Sequence, residues 1–304
     1  MKKLVTILRE VMMLTNKKVI VTGSSGFIGR HLIRELEKRN ANIVKLDLHN
    51  GYDLSIWENV RRIEKFDIAY HLAAKIYIPD SYKRPLEFYR TNILTTLYML
   101  ELCRLYNAKM IFPSSYVYGK PKYLPIDEIH PVEGFNTYAQ TKIICEKICE
   151  GYSRDHNVKV IILRPSNCYG NGQNINFLIP KIIQQARTKK IQLNDPNPKR
   201  DFIYIDDLVD AFIKAALYFE SNFEIFNIGL GKSYSVKEIV TFIINNFPDE
   251  IKVKFLSSDR KIEIMDTVYD VNKAKQKLNW TPKVGLKAGC KKLINDLKTN
   301  MSDS

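Results

Sequence analysis

Apolar and polar residues alternate along this chain in two rhythms. Short apolar or β-branched runs read as strands at Val19–Thr22, Asn42–Leu46, Ile68–Leu72, Met110–Phe112 and Val158–Leu163. Between them lie stretches with apolar residues at helical spacing. The first sets Ile28, Leu32, Ile33 and Leu36 against polar Arg30, Arg34, Lys38 and Arg39. Others fall around Ser55–Glu64, Leu86–Tyr106 and Tyr138–His156. The strands show little alternation of polarity, which predicts burial on both faces. Strands and helices alternating at this pitch predict parallel βαβ units in a doubly wound α/β sheet.

After about Pro165 the rhythm changes. Gly170-Asn171-Gly172 and Asp195-Pro196-Asn197-Pro198 are turn-rich. Helices are expected over Phe177–Arg187 and Asp206–Phe219, with a strand at Glu224–Asn227. Ser235 and Glu238 form a capping-box pattern that opens a further helix. The last third reads as helical and lysine-rich. The expected organisation is a short appendage over 1–15, a sheet domain over 16–165 and a smaller mixed α/β substrate lobe over 166–304. The chain is expected to cross back from that lobe to the sheet.

Composition narrows the function classes. The chain has 304 residues, 45% hydrophobic and 26% charged, which is ordinary for a globular protein. No apolar run approaches the roughly 18–20 residues that span a bilayer, so no membrane partner is expected. Five cysteines in this length make no disulfide framework. Cys145 and Cys149 lack companions at metal-ligand spacing and read as buried thiols. Met1–Thr15 has helically spaced apolar residues interrupted by Arg9 and Glu10, with no small-residue cleavage site. It reads as an amphipathic appendage of a cytoplasmic protein rather than a signal peptide.

The formal net charge is 47 − 33 = +14. Eight lysines fall between Asn272 and Lys298 against one acid, Asp296. Basic residues spaced this way form a solvated helical surface, without the interleaved aromatics of a nucleic-acid groove. No nucleic-acid partner is expected.

Gly23, Gly26 and Gly29, with Phe27 and Ile28 among them, stand between the first predicted strand and the first predicted helix. Glycines serve where a backbone turns tightly and approaches a pyrophosphate. The helix N-terminus beyond offers free N–H groups to that anion. Asp47 ends the second strand, eighteen residues after the last glycine. Its carboxylate can accept both adenosine-ribose hydroxyls and repels a 2′-phosphate, so NAD is favoured over NADP. This places the fold in the Rossmann class.

Tyr138 and Lys142 lie four residues apart on one face of a predicted helix. An ammonium beside a phenol lowers its pKa from about 10 and makes it a general base. Ser114 and Ser115 follow the fourth strand, at the sheet end where ligands bind in such folds.

With these groups in place the chain resembles the extended short-chain dehydrogenase/reductase family, and within it the nucleotide-sugar epimerases and dehydratases. The similarity runs from about Lys17 to Leu297. It rests on the glycine loop, His71-Leu72-Ala73-Ala74, the Ser114–Gly119 and Tyr138–Lys142 segments, Leu163–Gly170, Arg200–Asp207 and Leu278–Pro282. The resemblance implies NAD on the glycine loop, Asp47 at the adenosine ribose, Asp53 near the adenine, and Ala73, Ala74 and Lys75 along the groove. It implies Tyr138 as base, Lys142 on the nicotinamide ribose and Ser114 at the catalytic hydroxyl position. Ser115, Asn167, Arg200 and Arg260 would contact a nucleotide sugar, with Arg260 in an atypical setting (Arg260-Lys-Ile-Glu263). A homodimer is also implied.

Family members that eliminate water or decarboxylate carry an acid just after the catalytic hydroxyl. Here Ser115 and Tyr116 stand there, and neither moves a proton as an acid does. The favoured reading is a 4-epimerase of the UDP-glucose/UDP-galactose type, working by transient oxidation at C4. A reductase of 4-keto-6-deoxy sugar nucleotides is the alternative, suggested by Lys75–Ser81. A non-catalytic Rossmann binding protein is the alternative from another class.

Overall fold

The computed structural model of the protein describes residues 14–15, 17–257 and 264–302. The proposed appendage, apart from Leu14 and Thr15, and Arg260 lie outside them. Leu14 is fully buried and packs into the core beside Val19 and Leu32.

Six parallel strands form the main sheet. They are β1 (Lys18–Thr22), β2 (Asn42–Leu46), β3 (Ile68–His71), β4 (Lys109–Pro113), β5 (Lys159–Pro165) and β9 (Phe223–Ile228), in the order β2-β1-β3-β4-β5-β9. The order reverses between β1 and β3, and a crevice opens there at the strands' carboxyl ends. β9 comes from the second half of the chain, so that half returns to complete the sheet.

Each strand feeds two cores. Val19, Val21, Tyr70, Ile111 and Ile161 pack toward α1 (Phe27–Glu37) and α7 (Ile205–Ala216). Ile20, Ala69, Met110, Phe112 and Ile162 pack toward α4 (Pro85–Tyr106) and α5 (Thr137–His156). Burial on both faces explains the missing alternation of polarity. Lys109, at the start of β4, caps α7. Its ammonium donates to the carbonyls of Ala215 (2.8 Å), Ala216 (3.0 Å) and Tyr218, where the helix dipole favours a cation.

The remaining elements cover the carboxyl ends of the sheet and its flank. β6 (Asn167–Tyr169), β8 (Lys199–Tyr204) and β10 (Ser233–Ser235) form one small sheet; β7 (Lys190–Asn194) and β11 (Lys252–Leu256) form another. The helices here are α6 (Leu178–Arg187), α8 (Val236–Ile244), α9 (Asn272–Lys277) and α10 (Leu286–Ser302). The capping box at α8 is complete, with both the Ser235 and the Glu238 side chains engaged.

The structure differs from the pattern reading in four places. The helix expected over Ser55–Glu64 shrinks to α2 (Trp57–Val60). A short helix, α3 (Ile78–Lys83), precedes α4, and Pro79 fits its first turn. Strands β6, β7, β8, β10 and β11 fall where no strand was expected. The last third, which holds β10 and β11, is not wholly helical. No helix among the described residues is long and apolar enough to cross a membrane.

Candidate active site

The glycine loop joins β1 to α1 with little room to spare. Gly23 has φ +63°, and a Cβ there would stand 2.9 Å from the Ala73 nitrogen. A Cβ at Gly29 would meet the Gly23 carbonyl at 2.4 Å. Side chains at these positions would separate the loop from β3 and from its own helix. No side chain caps α1, so its first amides face the crevice end of the sheet. The Asp47 carboxylate accepts from the Ser25 N–H (3.0 Å) and the His49 N–H (3.1 Å). It holds the loop against β2 and keeps further acceptor capacity for two ribose hydroxyls. The loop, the uncapped helix and this carboxylate fit a dinucleotide diphosphate and its adenosine ribose.

Asp53 is committed locally. Its carboxylate accepts from the Ser55 N–H (2.9 Å) and hydroxyl (2.7 Å) and caps the turn into α2. Lys75 also has a partner, since its ammonium pairs with Glu87 at 2.6 Å.

The groove floor is tied to the helix of the tyrosine by a buried polar chain. Ala73 N–H donates to the Thr22 hydroxyl (3.0 Å), which also meets His71 Nδ1 (2.9 Å) and donates to it in the tautomer with the proton on Nε2. The other ring nitrogen then carries the proton toward Thr96 (3.3 Å), whose hydroxyl donates to the Asn92 carbonyl (2.7 Å). The Asn92 side chain accepts from the Lys75 N–H (2.8 Å) and donates to the Thr141 hydroxyl (2.9 Å). Thr141 donates to the Tyr138 carbonyl (2.7 Å). The sequence offered no periodic signal for this network, because its members come from four separate elements. Burial holds His71 neutral, with its pKa pushed down to about 3, and the nearby Lys142 adds to that.

Asn136 starts α5 by accepting from the Ala139 N–H at 2.8 Å, a cap worth about 1 kcal/mol. Tyr138 and Lys142 follow on the first turns. Burial raises the Tyr138 phenol above its ordinary value, and the nearby Ser115 hydroxyl works against that rise. Ser114 is buried, with its N–H on the Leu163 carbonyl at 2.7 Å. Its hydroxyl has no hydrogen-bond partner among the described residues.

One expectation needs correcting. Proximity in sequence suggested an ammonium beside the phenol. The Lys142 Nζ instead sits over the Phe112 ring, 4.1 Å from its centroid. Burial, first of all, sets the phenol above its ordinary value.

On the facing side, Asn167 donates to the Asp201 carbonyl (3.0 Å) and Arg200 to the carbonyl of Ile264 (2.5 Å). Arg200 also lies close enough to favour the phenolate of Tyr116. Tyr116 stacks on Tyr269 with rings 7° apart, a wall that sequence reading placed only in part. Cys145 and Cys149 are buried free thiols. No group of three metal-ligating side chains occurs among the described residues.

A groove shaped for a dinucleotide, meeting a Tyr/Ser/Lys set at the next strand end but one, defines a dinucleotide-dependent enzyme that moves protons at a hydroxyl. The sequence model of the NAD dependent epimerase/dehydratase family matches residues 19–229. A protein of Methanocaldococcus jannaschii described as a putative UDP-glucose 4-epimerase is 31% identical, over 93% of this chain and 99% of that one. The human UDP-glucose 4-epimerase is 29% identical, over 94% and 98%. Among solved structures, the Thermotoga maritima UDP-glucose 4-epimerase with UDP-glucose superposes with a TM-score of 0.85 at 25% identity, over 93% of this chain and 99% of that one. The chain belongs to the NAD-dependent epimerase/dehydratase family, and NAD is its cofactor.

Proposed function

We propose that this protein is a UDP-sugar 4-epimerase interconverting UDP-glucose and UDP-galactose. The carrying observation is the proton-transfer set. Tyr138 starts α5 beside Ser115, Ser114 is buried after β4 with its hydroxyl unpaired among the described residues, and no carboxylate stands at positions 115 and 116 to drive elimination or decarboxylation. Chemistry at C4 alone fits that set, and the 4-epimerase relatives support the substrate.

Bound NAD supplies the oxidation and re-reduction at C4. Tyr138 takes the proton of the sugar 4-hydroxyl and later returns it. The Ser115 hydroxyl donates to the phenolate and favours that base form. Ser114, buried with a free hydroxyl, donates to the 4-oxygen while the proton is away. Lys142 holds the nicotinamide ribose. Gly23, Gly26, Phe27, Ile28 and Gly29 bind the diphosphate through their backbone, with Ala73 and Ala74 opposite. Asn167 and Arg200 face the nucleotide sugar. The reductase reading leaned on Lys75, whose ammonium is engaged by Glu87. A cytoplasmic location agrees with five free thiols, and a homodimer through α4 and α5 is part of this reading.

The test is incubation of the purified protein with UDP-glucose and no added nicotinamide, followed by NMR. UDP-galactose should appear. Tyr138→Phe should lower turnover by roughly 10²–10⁴-fold while NAD stays bound. Turnover that requires added NADH and a 4-keto substrate would instead identify a reductase.

A further inference from the structure

Lys142 is an unusual charge for its surroundings. It is 3% exposed, on the side of the sheet filled by Met110, Phe112, Cys145 and Cys149. An ammonium removed from water needs a compensating partner, or it sheds its proton. Here its Nζ lies over the face of Phe112 at 4.1 Å, inside the range where the ring quadrupole attracts a cation. Phe112 is itself 1% exposed and held in the middle of the sheet, registered against Ile162 of β5. Its ring also stacks on His71, 6.1 Å between centroids and 20° between planes.

We infer that Phe112 is a positioning residue for the reaction: its ring seats the Lys142 ammonium inside the protein, charged and aimed from a fixed point on β4. The inference rests on the reading of Lys142 as the residue that holds the nicotinamide ribose. The rigid strand position matters because a lysine stem has four rotatable bonds and strays without an anchor. His71 serves the same seat. Kept neutral by burial and by the nearby Lys142, it places no second cation against the ring.

The charged and titratable groups around the ammonium are few. Burial holds the Lys142 ammonium below its ordinary pKa, Cys145, Cys149 and Glu146 on its own helix partly offset that, and His71 faces it from β3. Replacing the ring by an aliphatic side chain of similar size therefore leaves burial less opposed, and Lys142 loses its proton at lower pH.

Two measurements decide the matter. In the first, kcat/KM for UDP-glucose is followed against pH. Phe112→Leu should move the alkaline limb to lower pH by about one unit, a tenfold loss above that limb. Phe112→Tyr, which keeps the ring, should restore it. An alkaline limb identical in wild type and Phe112→Leu overturns the inference. The second needs no activity and stands if the epimerase reading fails. In a double-mutant cycle on urea unfolding, Phe112→Leu should lower the folding equilibrium constant roughly tenfold more in the wild type than in a Lys142→Met background. Equal effects in the two backgrounds would show that Phe112 is core filling and nothing more.

Discussion

His71 shows how one side chain can join a structural and an electrostatic task. The Thr22 hydroxyl meets its Nδ1 and donates there in the tautomer with the proton on Nε2, and burial keeps it unprotonated, with the pKa near 3 against an ordinary 6.5. The unfolded chain then binds more protons than the native one between those values. Stability from this group is complete above pH 6.5 and is lost as pH falls toward 3. At pH 5 the loss is about 2 kcal/mol. Urea unfolding at pH 7.5 and pH 5 should show that decrement in the wild type and not in His71→Gln, whose amide cannot charge. Identical pH dependence in both proteins would remove His71 from the account.

At the scale of elements, the helix of Tyr138 is clamped at its middle as well as its start. Glu146 on α5 accepts two bonds from Arg164 on β5, at 2.9 and 2.6 Å, with both side chains under a tenth exposed. Arg164 also donates to the Tyr118 hydroxyl (3.0 Å), which donates to Asn227 on β9 (2.5 Å). Glu146→Ala leaves a guanidinium buried beside no carboxylate, and such a loss costs about 3–5 kcal/mol. A urea midpoint within error of wild type would contradict this. The double replacement of Glu146 and Arg164 by Met and Leu should recover part of the loss.

This clamp was not legible in the sequence, and the reason is general. Elements whose own pattern is strong were read to within a residue or two: β2 by its apolar run, α4 and α5 by length, the α8 cap by Ser235 and Glu238. β7 alternates polar and apolar residues as a half-buried strand does, but over only five residues in a turn-rich region, and β11 is mostly exposed and carries little apolar patterning. The glycine loop and the Tyr/Lys spacing could be read because each lies within one local segment. The orientation of Lys142 toward Phe112 could not, because it depends on how β4 and α5 meet.

For the whole molecule the open question is what covers α4 and α5. Leu94 and Leu97 on α4, and Ile144 and Ile148 on α5, are half-exposed although each is aliphatic and lies on an adjoining helix. Leu94 and Leu97 share one face of α4, and Ile144 and Ile148 one face of α5, by helical spacing. Two charge pairs beside them are closed within their own helices, Glu101 with Arg104 at 2.6 Å and Lys147 with Glu150 at 2.8 Å, while Arg90, one turn before Leu94, is exposed. A surface with aliphatic side chains on two adjoining helices and mostly paired charges beside them suits an isologous contact with a second copy. Its association should depend little on salt, even though each chain carries a formal +14, because the lysine-rich helices contribute no charge to that surface. Light scattering should therefore give a mass near twice the 35.4 kDa chain at both 50 mM and 500 mM salt (values chosen to span about a threefold change in Debye length). Leu97→Glu with Ile144→Glu should yield monomer, since a carboxylate buried in the contact without a partner costs several kcal/mol. A wild-type mass of one chain, or a dimer untouched by the double substitution, would place the contact elsewhere or nowhere.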